Sequence, residues 1–537
     1  MTTIRSFFET ARRNPDRLAW KHGRREWTWD QAAEEVRRVG RALISLGVRR
    51  GDAVSIVGPN RPEWLMADLG ALAAGAVPAP IYPTLTAEQS RYIADHSGAG
   101  VAVVSDEAQE RKLRGTAVRS FVRMDEWQRF LALAEQTPQS ALDERLAAVK
   151  PADLATLIYT SGTTGPPKAV MLTHANIAFA AETAVRIAGT TPSDVLVSYL
   201  PLSHVAEQII SVHSPVVGGG VVWFCDELER IGEVLREARP TIFFGVPRIW
   251  EKMQARIEDR VRTAPALRRK LFAWARNSRG ALADRLVLAK LRAAMGLDRA
   301  RLCVTAAAKM PRPTLDFFDS LGIPVLDVWG LTETTGVGTA NVPRARRPGT
   351  VGRPEEGVEL RIAADGEILV RGPHVFAGYY KDLPATREAL DEQGFLHTGD
   401  VGELDSEGYL RITDRKKELL ITSGGKNVSP QNIEGLLGRI QGVSQAVVVG
   451  DGRKYLAALI VPEKPERAKD PDFVAHVGRE IEKVNGNLAQ YETIKRFRVL
   501  PAQFSIDSGE LTPTLKLKRK VVSQKYAREI DELFAPG

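Results

Sequence analysis

Cysteine is scarce in this sequence: the 537 residues contain only Cys225 and Cys303. Both are flanked by apolar residues, as expected of small side chains that are buried in a core. Two isolated cysteines cannot build a disulfide framework of the kind that stabilises small secreted domains. The sequence therefore predicts a protein of a reducing, cytoplasmic compartment.

Long apolar runs are also absent. The most apolar stretches are interrupted by Asp68 or by prolines and glycines, so none is long enough to predict a membrane span. The first residues, MTTIRSFFETARRNPDRL, contain no apolar core of the signal-peptide type. We expect neither a transmembrane segment nor a cleaved leader.

Signatures of nucleic-acid binding are missing as well. The sequence has no zinc-finger spacing, no aromatic RNA-binding motif and no basic arm. The net charge of +8 is modest for a chain of this length. Such a charge suits anionic ligands or an anionic membrane surface, but it predicts no nucleic-acid partner.

The chain does contain a regular alternation of short apolar strands and helices. Its length is too great for one compact core, and its hydrophobic and charged fractions, 44% and 26%, are ordinary for a globular protein. Thr28 and Gln31 have the spacing of a capping box and predict a helix start. Strands are predicted at residues 53–57, 77–81, 101–105, 195–200, 221–224, 241–245, 302–306 and 325–328. This alternation predicts doubly wound parallel sheets in two units, one before and one after residues 157–174.

The last third of the chain has a different character. From about residue 343, alternating strands at 358–362 and 367–370 follow each other without helices, which predicts an antiparallel β subdomain. Beyond residue 414, a helix at 432–440 and strands at 445–449 and 456–461 predict a small α+β domain. A basic amphipathic helix is predicted from Lys518 onward.

The stretch 157–174, LIYTSGTTGPPKAVMLTH, is the most informative part of the sequence. An apolar strand end leads into a loop of small, hydroxyl-bearing and glycine residues: Thr160, Ser161, Gly162, Thr163, Thr164 and Gly165. Glycines allow backbone N–H groups to approach a ligand, hydroxyls add donors, and Lys168 adds a positive charge, so the loop suits phosphate groups. It is not a Walker motif, because the lysine does not directly follow the last glycine. On composition alone, a flexible surface loop explains these residues equally well.

The complete string resembles the phosphate-binding loop of the adenylate-forming superfamily, which includes acyl-CoA synthetases, peptide-synthetase adenylation domains and luciferases. The resemblance extends over nearly the whole chain. It implies an α/β fold with a large N-terminal domain (1–416) of two doubly wound parallel-sheet subdomains plus a β-barrel-like subdomain. It also implies a small mobile α+β C-terminal domain (417–537). ATP, Mg²⁺ and CoA are the implied cofactors and co-substrates.

The second string, VWGLTETTG at 328–336, resembles the superfamily segment that contacts adenine, phosphate and metal. The resemblance implies that Thr332 contacts phosphate and that Glu333 holds Mg²⁺, with Thr160 as a second metal contact. Oxygen ligands of this kind are those that Mg²⁺ prefers. Trp329, where the family usually has tyrosine, and Gly330 are then expected beside the adenine. The alternative for Trp329 is a core aromatic residue.

Two further strings resemble the ribose and hinge motifs of the superfamily. In HTGD at 397–400, Asp400 takes the position of the aspartate that accepts hydrogen bonds from both ribose hydroxyls. In ITDRKKE at 412–418, Arg415 matches the arginine that reaches the ribose, and Lys417 matches the hinge about which the small domain rotates. Read alone, these segments are an ordinary turn and a solvated charged loop.

The string LTPTLKLKRK at 511–520 resembles the C-terminal motif of the superfamily and places Lys516 at the catalytic lysine. A mobile ammonium near the α-phosphate stabilises the negative charge that develops during displacement. Thr514-Leu515 replaces the usual Ser-Gly and resembles the long-chain acyl-CoA synthetase version. Lys518, Arg519 and Lys520 are the competing candidates, since a basic run is usually a solvated face.

Segments 201–207 and 245–252 resemble long-chain fatty acyl-CoA synthetases. His204 is a candidate for the acyl site, and a histidine satisfied within the core is the equal alternative. Residues Ala306, Ala307 and Ala308 stand where the family often has a glycine-containing turn. Because alanine resists positive φ, we expect the local backbone to differ there.

The sequence therefore predicts a long-chain fatty acid–CoA ligase that forms acyl-AMP and then acyl-CoA. Its expected partners are fatty acid, ATP and CoA. The alternatives are an enzyme that loads an acyl carrier protein and a catalytically silent nucleotide-binding regulator. The basic tail also raises the hypothesis of peripheral association with an anionic membrane. Acyl chain length and oligomeric state do not follow from the sequence.

Overall fold

The computed structural model describes residues 2–160, 166–278, 280–416, 418–424, 426–506, 508–512 and 516–535. Its strands are short, as the sequence predicts. In chain order they are β1 Leu18–His22, β2 Arg25–Thr28, β3 Ala53–Val57, β4 Val77–Ile81, β5 Val101–Val104, β6 Ser120–Arg123, β7 Leu154–Thr160, β8 Lys168–Thr173, β9 Val195–Ser198, β10 Val221–Phe224, β11 Ile242–Phe244, β12 Leu302–Thr305, β13 Val325–Trp329, β14 Thr339–Ala340, β15 Arg353–Pro354, β16 Glu359–Ile362, β17 Glu367–Arg371, β18 Leu396–Leu404, β19 Leu410–Arg415, β20 Leu420–Ile421, β21 Asn427–Val428, β22 Val443–Val449, β23 Leu456–Pro462 and β24 Ile494–Val499.

Helices separate most of these strands. In chain order they are α1 Thr3–Arg13, α2 Trp29–Ser45, α3 Pro62–Ala73, α4 Ala87–Ser97, α5 Glu107–Leu113, α6 Trp127–Ala132, α7 Gln139–Ala148, α8 His174–Ala188, α9 Val205–Gln208, α10 Ser214–Gly218, α11 Ile231–Ala238, α12 Pro247–Arg262, α13 Ala266–Ser278, α14 Ala281–Ala283, α15 Ala289–Met295, α16 Arg312–Ser320, α17 Leu383–Ala389, α18 Pro430–Leu437, α19 Pro471–Asn485, α20 Arg519–Lys525 and α21 Ala527–Phe534. None of the described helices combines the length and apolar character that a membrane span requires.

The predicted parallel sheets are confirmed. β4, β3, β5 and β6 form one sheet in that order, with every neighbouring pair parallel. A second sheet has the order β11-β12-β13-β14-β15, and its first three strands are parallel. The predicted capping box at Thr28 and Gln31 is present at the start of α2. Buried apolar strands and capped helices are thus the features that the sequence pattern identifies correctly.

A third sheet corrects the predicted division of the chain. Its order is β2-β1-β10-β9, and β1 runs parallel to β10. The N-terminal strands therefore pair with strands that follow the loop at 161–165, so the two units are not separated at that loop. The reason is local: β1 buries only Ala19 and Trp20 deeply, and so short an apolar segment gives a weak strand pattern.

The chain divides into two compact units. The larger consists of Met1–Arg361, Leu369–His397 and Leu404–Arg411, and the smaller of Ile362–Ile368, Thr398–Glu403 and Ile412–Gly537. β16, β17, β18 and β19 form a four-stranded sheet in that order. The links from β16 to β17 and from β18 to β19 are too short for parallel crossovers, so these pairs are antiparallel, as predicted.

The smaller unit has an α+β arrangement. β22, β23 and β24 form a sheet in that order. One face of the sheet packs against α18 and α19 through residues such as Ile433 and Val477. The opposite face packs against the C-terminal helices through Val522 and Leu533. Because successive side chains of β23 point to opposite faces, this strand contributes to both cores.

The tail is helical from Arg519 onward, as predicted, but the helix is interrupted and part of its positive charge is paired. The tail forms α20 and α21, separated at Tyr526. Tyr526 turns its ring inward, and its hydroxyl donates a hydrogen bond to Glu510. Two of the tail cations are held in ion pairs within the unit, Arg519 with Glu434 at 2.8 Å and Lys525 with Glu510 at 2.6 Å. The tail is therefore packed into the smaller unit rather than presented as a continuous basic face.

The interior of the larger unit contains an ionisable residue on a helix that is buried on all sides. Every residue of α3 is buried, and Asp68 is only 2% exposed. Its Oδ2 atom has no hydrogen-bond partner among the described residues. Burial raises the pKa of Asp68 to about 7, because an ionised carboxylate loses its hydration there.

We expect Asp68→Asn to remove a pH dependence of stability. The pKa of Asp68 in the folded state lies above the value near 3.9 of an unfolded chain, so its contribution to stability is complete below pH 4 and is lost as pH rises through 7. Relative to wild type, the variant should gain about 2–3 kcal/mol between pH 5 and pH 8. Urea unfolding at both pH values measures this gain. Asp259→Asn, at an exposed position, is the control, and parallel pH profiles for Asp68→Asn and wild type would contradict the assignment.

The alanines after β12 adopt an unexpected conformation. Ala307 has φ +75°, a left-handed value that costs an L-residue about 1 kcal/mol. The expectation that alanine would avoid this backbone is therefore wrong: the turn keeps a glycine-like conformation without glycine. We predict that Ala307→Gly leaves the melting temperature unchanged or raises it, because the relief of strain offsets the extra entropy of the unfolded chain. Ala306→Gly, where φ is not positive, should lower it, and equal destabilisation by both variants would contradict this account.

Candidate active site

The predicted phosphate loop connects the two strands of a hairpin. β7 and β8 are antiparallel, and Thr160 lies opposite Lys168 where the hairpin opens. The Thr160 hydroxyl donates to the Lys168 carbonyl oxygen at 3.5 Å. Ser161, Gly162, Thr163, Thr164 and Gly165 lie outside the described residues. The structure thus places Thr160 and Lys168 side by side at the base of this loop.

The second predicted string begins at the C-terminal end of β13, where open parallel sheets bind their ligands. Thr332 and Glu333 form a 3₁₀ turn with Thr334, and the Thr334 hydroxyl accepts a hydrogen bond from the Leu331 N–H at 2.8 Å. The Glu333 carbonyl oxygen accepts from the Phe376 N–H at 2.9 Å. β8 contacts this turn, so the hairpin and the second string form one site within the larger unit.

Tyr379 links the charged residues of this site. Its hydroxyl donates to Glu333 Oε1 at 2.8 Å, and Lys168 Nζ lies 4.9 Å from the centroid of its ring. Burial and the Glu333 carboxylate raise the pKa of Tyr379, so the hydroxyl keeps its proton and remains a donor. Tyr379 thus contacts both a carboxylate and a lysine side chain, one of each sign.

The sequence reasoning missed Tyr379. The tyrosine is positioned by backbone pairing of its segment with β8: the Tyr380 N–H donates to the Ala169 oxygen at 2.9 Å, and the Met171 N–H donates to the Gly378 oxygen at 3.0 Å. No sequence motif marks a tyrosine in a loop as a functional residue. Its partner Glu333 is 46 residues away in the sequence.

Trp329 and Gly330 close the end of β13. Trp329 is only 6% exposed, the burial expected of a core aromatic residue, so its contact with adenine remains a prediction. At Gly330, a Cβ atom would lie 2.5 Å from the backbone carbon of Gly336, and no larger residue fits without displacing this backbone. The glycine is therefore explained by close packing within the string.

His204 lies beside the second string. It is the N-cap of α9, and its Nδ1 accepts a hydrogen bond from the Ala206 N–H at 3.2 Å. This bond leaves the proton of a neutral ring on Nε2. Val205 and Ala206 lie next to Gly336. His204 is half-buried and has a structural role at the helix start, whereas its place in an acyl site remains a prediction.

Buried polar residues on α9 and around it hold the backbone on both sides of His204. Glu207 accepts a hydrogen bond from the Ser211 hydroxyl at 2.7 Å, and burial raises its pKa to about 7. Asn60 donates to the Ser198 hydroxyl at 2.8 Å and to the Leu200 oxygen. These bonds fix the end of β9 and the start of α9, and thereby the position of His204.

The predicted ribose-binding residues are adjacent in the smaller unit. Arg415 Nε lies 3.0 Å from Asp400 Oδ1, and Asp400 is buried. The backbone is held by the Gly399 N–H, which donates to Glu367 at 2.9 Å, and by the Lys416 N–H, which donates to the Gly399 oxygen. Lys417, the predicted hinge, lies outside the described residues.

Lys516 is hydrogen-bonded to Thr512 in the smaller unit. Its N–H donates to the Thr512 hydroxyl at 2.9 Å, and its oxygen accepts from the Thr512 N–H at 2.8 Å. Residues 513–515, which include the departure Thr514-Leu515, lie outside the described residues. Lys516 is half-buried.

Two family models match this chain. A family described as AMP-binding enzyme matches residues 7–380, and one described as AMP-binding enzyme C-terminal domain matches residues 417–536. The chain is 36% identical to the long-chain-fatty-acid–CoA ligase ACSBG2 of Gallus gallus, covering 93% of this chain and 76% of that protein. It is also 36% identical to the long-chain-fatty-acid–CoA ligase FadD15 of Mycobacterium tuberculosis, covering 94% and 92%.

Solved structures show the same fold. The anthranilate CoA ligase AuaEII in complex with anthranoyl-AMP superposes with a TM-score of 0.78 at 21% identity, covering 98% of this chain and 97% of that one. A Mycobacterium tuberculosis fatty acyl CoA synthetase superposes with a TM-score of 0.69 at 24% identity, covering 98% and 99%. The chain therefore belongs to the AMP-binding enzyme family, within the adenylate-forming superfamily.

Proposed function

We propose that this protein is a long-chain fatty acid–CoA ligase. The observation that carries the proposal is the Glu333–Tyr379–Lys168 arrangement at the end of β13, in a chain of the AMP-binding enzyme family. A fatty acid carboxylate oxygen attacks the α-phosphorus of ATP, and pyrophosphate leaves. The CoA thiol then attacks the acyl carbonyl carbon of acyl-AMP, loses its proton, and AMP leaves.

The larger unit supplies groups for the triphosphate. Thr160 and Lys168 lie at the base of the loop, and Thr332 lies on the turn that β8 contacts. Among the described residues, no cluster of three or more acidic, histidine or cysteine side chains could hold a metal by itself. The Glu333 carboxylate and the Thr160 hydroxyl are oxygen donors, and they fit Mg²⁺, which is usually bound by one or two carboxylates together with substrate phosphates. Glu333, with Thr160, would hold the ion, which supplies positive charge against the phosphate oxygens.

The smaller unit supplies the remaining groups. Asp400 would accept hydrogen bonds from the ribose hydroxyls, with Arg415 beside it. Lys516 would stabilise the negative charge that develops on the α-phosphate during adenylation. Rotation about Lys417 would withdraw Lys516 before the thioester step, as in other lid-type rearrangements that complete a site.

The long-chain assignment is supported by the names of the relatives and by the segment that contains His204. The same names favour CoA over an acyl carrier protein as the acceptor. A silent regulator is disfavoured because the chain retains Glu333, Asp400, Arg415 and Lys516. The proposed location is the cytoplasm.

Pyrophosphate release tests the proposal. Acids from acetate to stearate are supplied with Mg·ATP, each with and without CoA. We expect release with long-chain acids and a thioester product when CoA is present. Acyl-AMP that CoA cannot discharge would favour a carrier-protein acceptor, and no release with any acid would favour the silent regulator.

The hydrogen bond from Tyr379 to Glu333 is expected to affect the Mg²⁺ requirement of the reaction. We expect Tyr379→Phe to raise the Mg²⁺ concentration for half-maximal pyrophosphate release about tenfold, because Glu333 loses the donor that orients it. The maximal rate at saturating Mg²⁺ should fall less. Tyr380→Phe, at the neighbouring position, is the matched control. An unchanged Mg²⁺ requirement would show that Tyr379 does not position Glu333.

A further inference from the structure

One histidine behind the candidate site contacts the neighbours of two of its residues. His96 lies in the last turn of α4 and is half-buried. Its Nδ1 atom lies 3.0 Å from the Tyr159 hydroxyl oxygen, and its ring centroid lies 5.8 Å from those of Tyr159 and Tyr380, edge-on in both cases. Tyr159 directly precedes Thr160, and Tyr380 directly follows Tyr379. His96 therefore adjoins both the base of the phosphate loop and the segment of Tyr379.

The two tyrosines belong to a row that crosses three strands. Tyr159 of β7 lies opposite Ala169 of β8, and on the other side of β8 the Tyr380 N–H donates to the Ala169 oxygen. Directly opposed residues project from the same face of a sheet. We call Tyr159, Ala169 and Tyr380 the back row. Its middle residue is small, so the His96 ring contacts the tyrosine rings on both sides.

The residues of the candidate site lie on the other face of these strands. Successive side chains of a strand point to opposite faces, so Thr160, Lys168 and Tyr379, each one position away from the back row, face the opposite way. The two faces pack in different hydrophobic cores: the back row packs in one, and Tyr379 packs with Val170 in the other. A displacement of the back row therefore reaches the site through the shared backbone.

The hydrogen bond between His96 and Tyr159 joins two neutral groups. Burial raises the pKa of Tyr159, so its hydroxyl keeps its proton. Burial and the Lys381 ammonium lower the pKa of His96, so its ring is neutral at pH 7 and has one nitrogen that accepts. An imidazole nitrogen is a stronger acceptor than a phenol oxygen. The hydroxyl therefore donates to Nδ1, and the ring proton lies on Nε2.

The position of His96 is itself fixed. Tyr92, one helical turn earlier, stacks on the ring at a centroid distance of 5.4 Å and an angle of 21°. Lys381 Nζ donates to the His96 carbonyl oxygen at 2.8 Å. Carbonyls in the last turn of a helix lack intrahelical partners, and a cation is favourable there. α4 is anchored in the core through Ile93 and Ala94, so the ring is a fixed reference for the strands that contact it.

We propose that His96 is a positioning residue for the binding of Mg·ATP, and that it acts through the strands that it contacts. It holds Thr160, Lys168 and Tyr379 at fixed mutual positions. This role rests on the proposed function, in which these three residues face the triphosphate and its metal ion. Packing alone needs only a flat ring, whereas positioning through Tyr159 needs the Nδ1 acceptor. A variant that keeps the ring and loses the acceptor separates the two roles.

Direct binding of Mg·ATP to the full-length protein tests the proposal, measured by isothermal titration calorimetry without fatty acid or CoA. His96→Phe keeps a flat ring against Tyr92 and leaves the Tyr159 hydroxyl without its acceptor. His96→Asn places an amide oxygen near the position of Nδ1 and restores an acceptor. His476→Phe, at a half-buried histidine of α19 in the smaller unit, is the matched control.

We expect His96→Phe to raise the dissociation constant of Mg·ATP about tenfold, because the buried hydroxyl of Tyr159 loses its partner and the end of β7 shifts. His96→Asn should stay within about threefold of wild type, and His476→Phe should be unchanged. Tyr159→Phe removes the same bond from the other side, so its effect should not add to that of His96→Phe. In steady-state assays of His96→Phe, KM for ATP should rise more than kcat falls, and KM for CoA with supplied acyl-AMP should be unchanged.

An unchanged dissociation constant in His96→Phe would overturn the proposal, whether or not the melting temperature falls. Equal weakening by His96→Phe and His96→Asn would also overturn it, because the ring and not the acceptor would then matter. Wild type that binds no Mg·ATP would have the same consequence. Wild type that binds Mg·ATP but releases no pyrophosphate with any acid would contradict the proposed function, whereas the binding data would still decide the role of His96.

Discussion

The Lys516→Ala variant is expected to form acyl-AMP about 100- to 1,000-fold more slowly than wild type while still converting supplied acyl-AMP to acyl-CoA. The first half-reaction places additional negative charge on the α-phosphate, and removal of one preorganised donor to such a charge has a cost of this size. The second half-reaction discharges the acyl group from AMP, and Lys516 is proposed to have withdrawn by then. The variant should therefore separate the two half-reactions.

Arg519, one of the basic neighbours of Lys516, is held in an ion pair with Glu434. Burial alone would lower the pKa of Arg519, but the Glu434 carboxylate offsets this and holds the pKa raised, so the guanidinium stays charged within the pair. Arg519 also donates to the Val448 oxygen at 3.0 Å. Arg519 therefore attaches α20 to Glu434 and Val448. Lys520 is exposed on the same helix and makes a suitable control.

Two assays with the same protein preparation check this prediction. Pyrophosphate release with fatty acid and Mg·ATP measures adenylation, and thioester formation from synthetic acyl-AMP and CoA measures the second half-reaction. Lys520→Ala should behave as wild type in both. Normal adenylation by Lys516→Ala would remove Lys516 from the proposed mechanism. Equal loss in both assays would indicate a damaged fold, which the melting temperature would reveal.

Much of the fold follows from local sequence patterns. Strands β3, β4 and β5 are buried apolar segments bounded by glycine, proline and polar residues, and the sequence places them to within one residue. The helix α2 begins where Thr28 and Gln31 predict it. Burial and capping are encoded by neighbouring residues, so a single sequence is sufficient to detect them.

Features that depend on distant partners could not be predicted in this way. The pairing of β1 with β10 joins residues about two hundred positions apart, and the contact between Tyr379 and Glu333 joins two loops. The tail is interrupted at Tyr526, whose side chain lies in the core of the smaller unit. Ala307 adopts positive φ because its surroundings impose it against the preference of alanine. In each case tertiary packing decides the outcome.

The Glu333→Gln variant is expected to lower the rate of adenylation about 100- to 1,000-fold and to raise the Mg²⁺ requirement at least tenfold. Glutamine keeps the size of the side chain but removes the negative charge, and Mg²⁺ binds a neutral amide oxygen less strongly than a carboxylate. A Mg²⁺ titration of pyrophosphate release measures both effects. Glu35→Gln, at a half-buried glutamate on α2, is the matched control and should titrate like wild type.

A double-variant cycle then tests whether Tyr379 acts through Glu333. The two side chains are joined by the 2.8 Å hydrogen bond, so their effects should not add. In the Glu333→Gln background, Tyr379→Phe should change the Mg²⁺ requirement by less than twofold, compared with about tenfold in wild type. A full tenfold effect in both backgrounds would mean that the tyrosine contributes independently, for example through its ring beside Lys168. A normal Mg²⁺ titration of Glu333→Gln would place the metal ligand elsewhere, because the carboxylate at the end of β13 would then have no part in binding the ion.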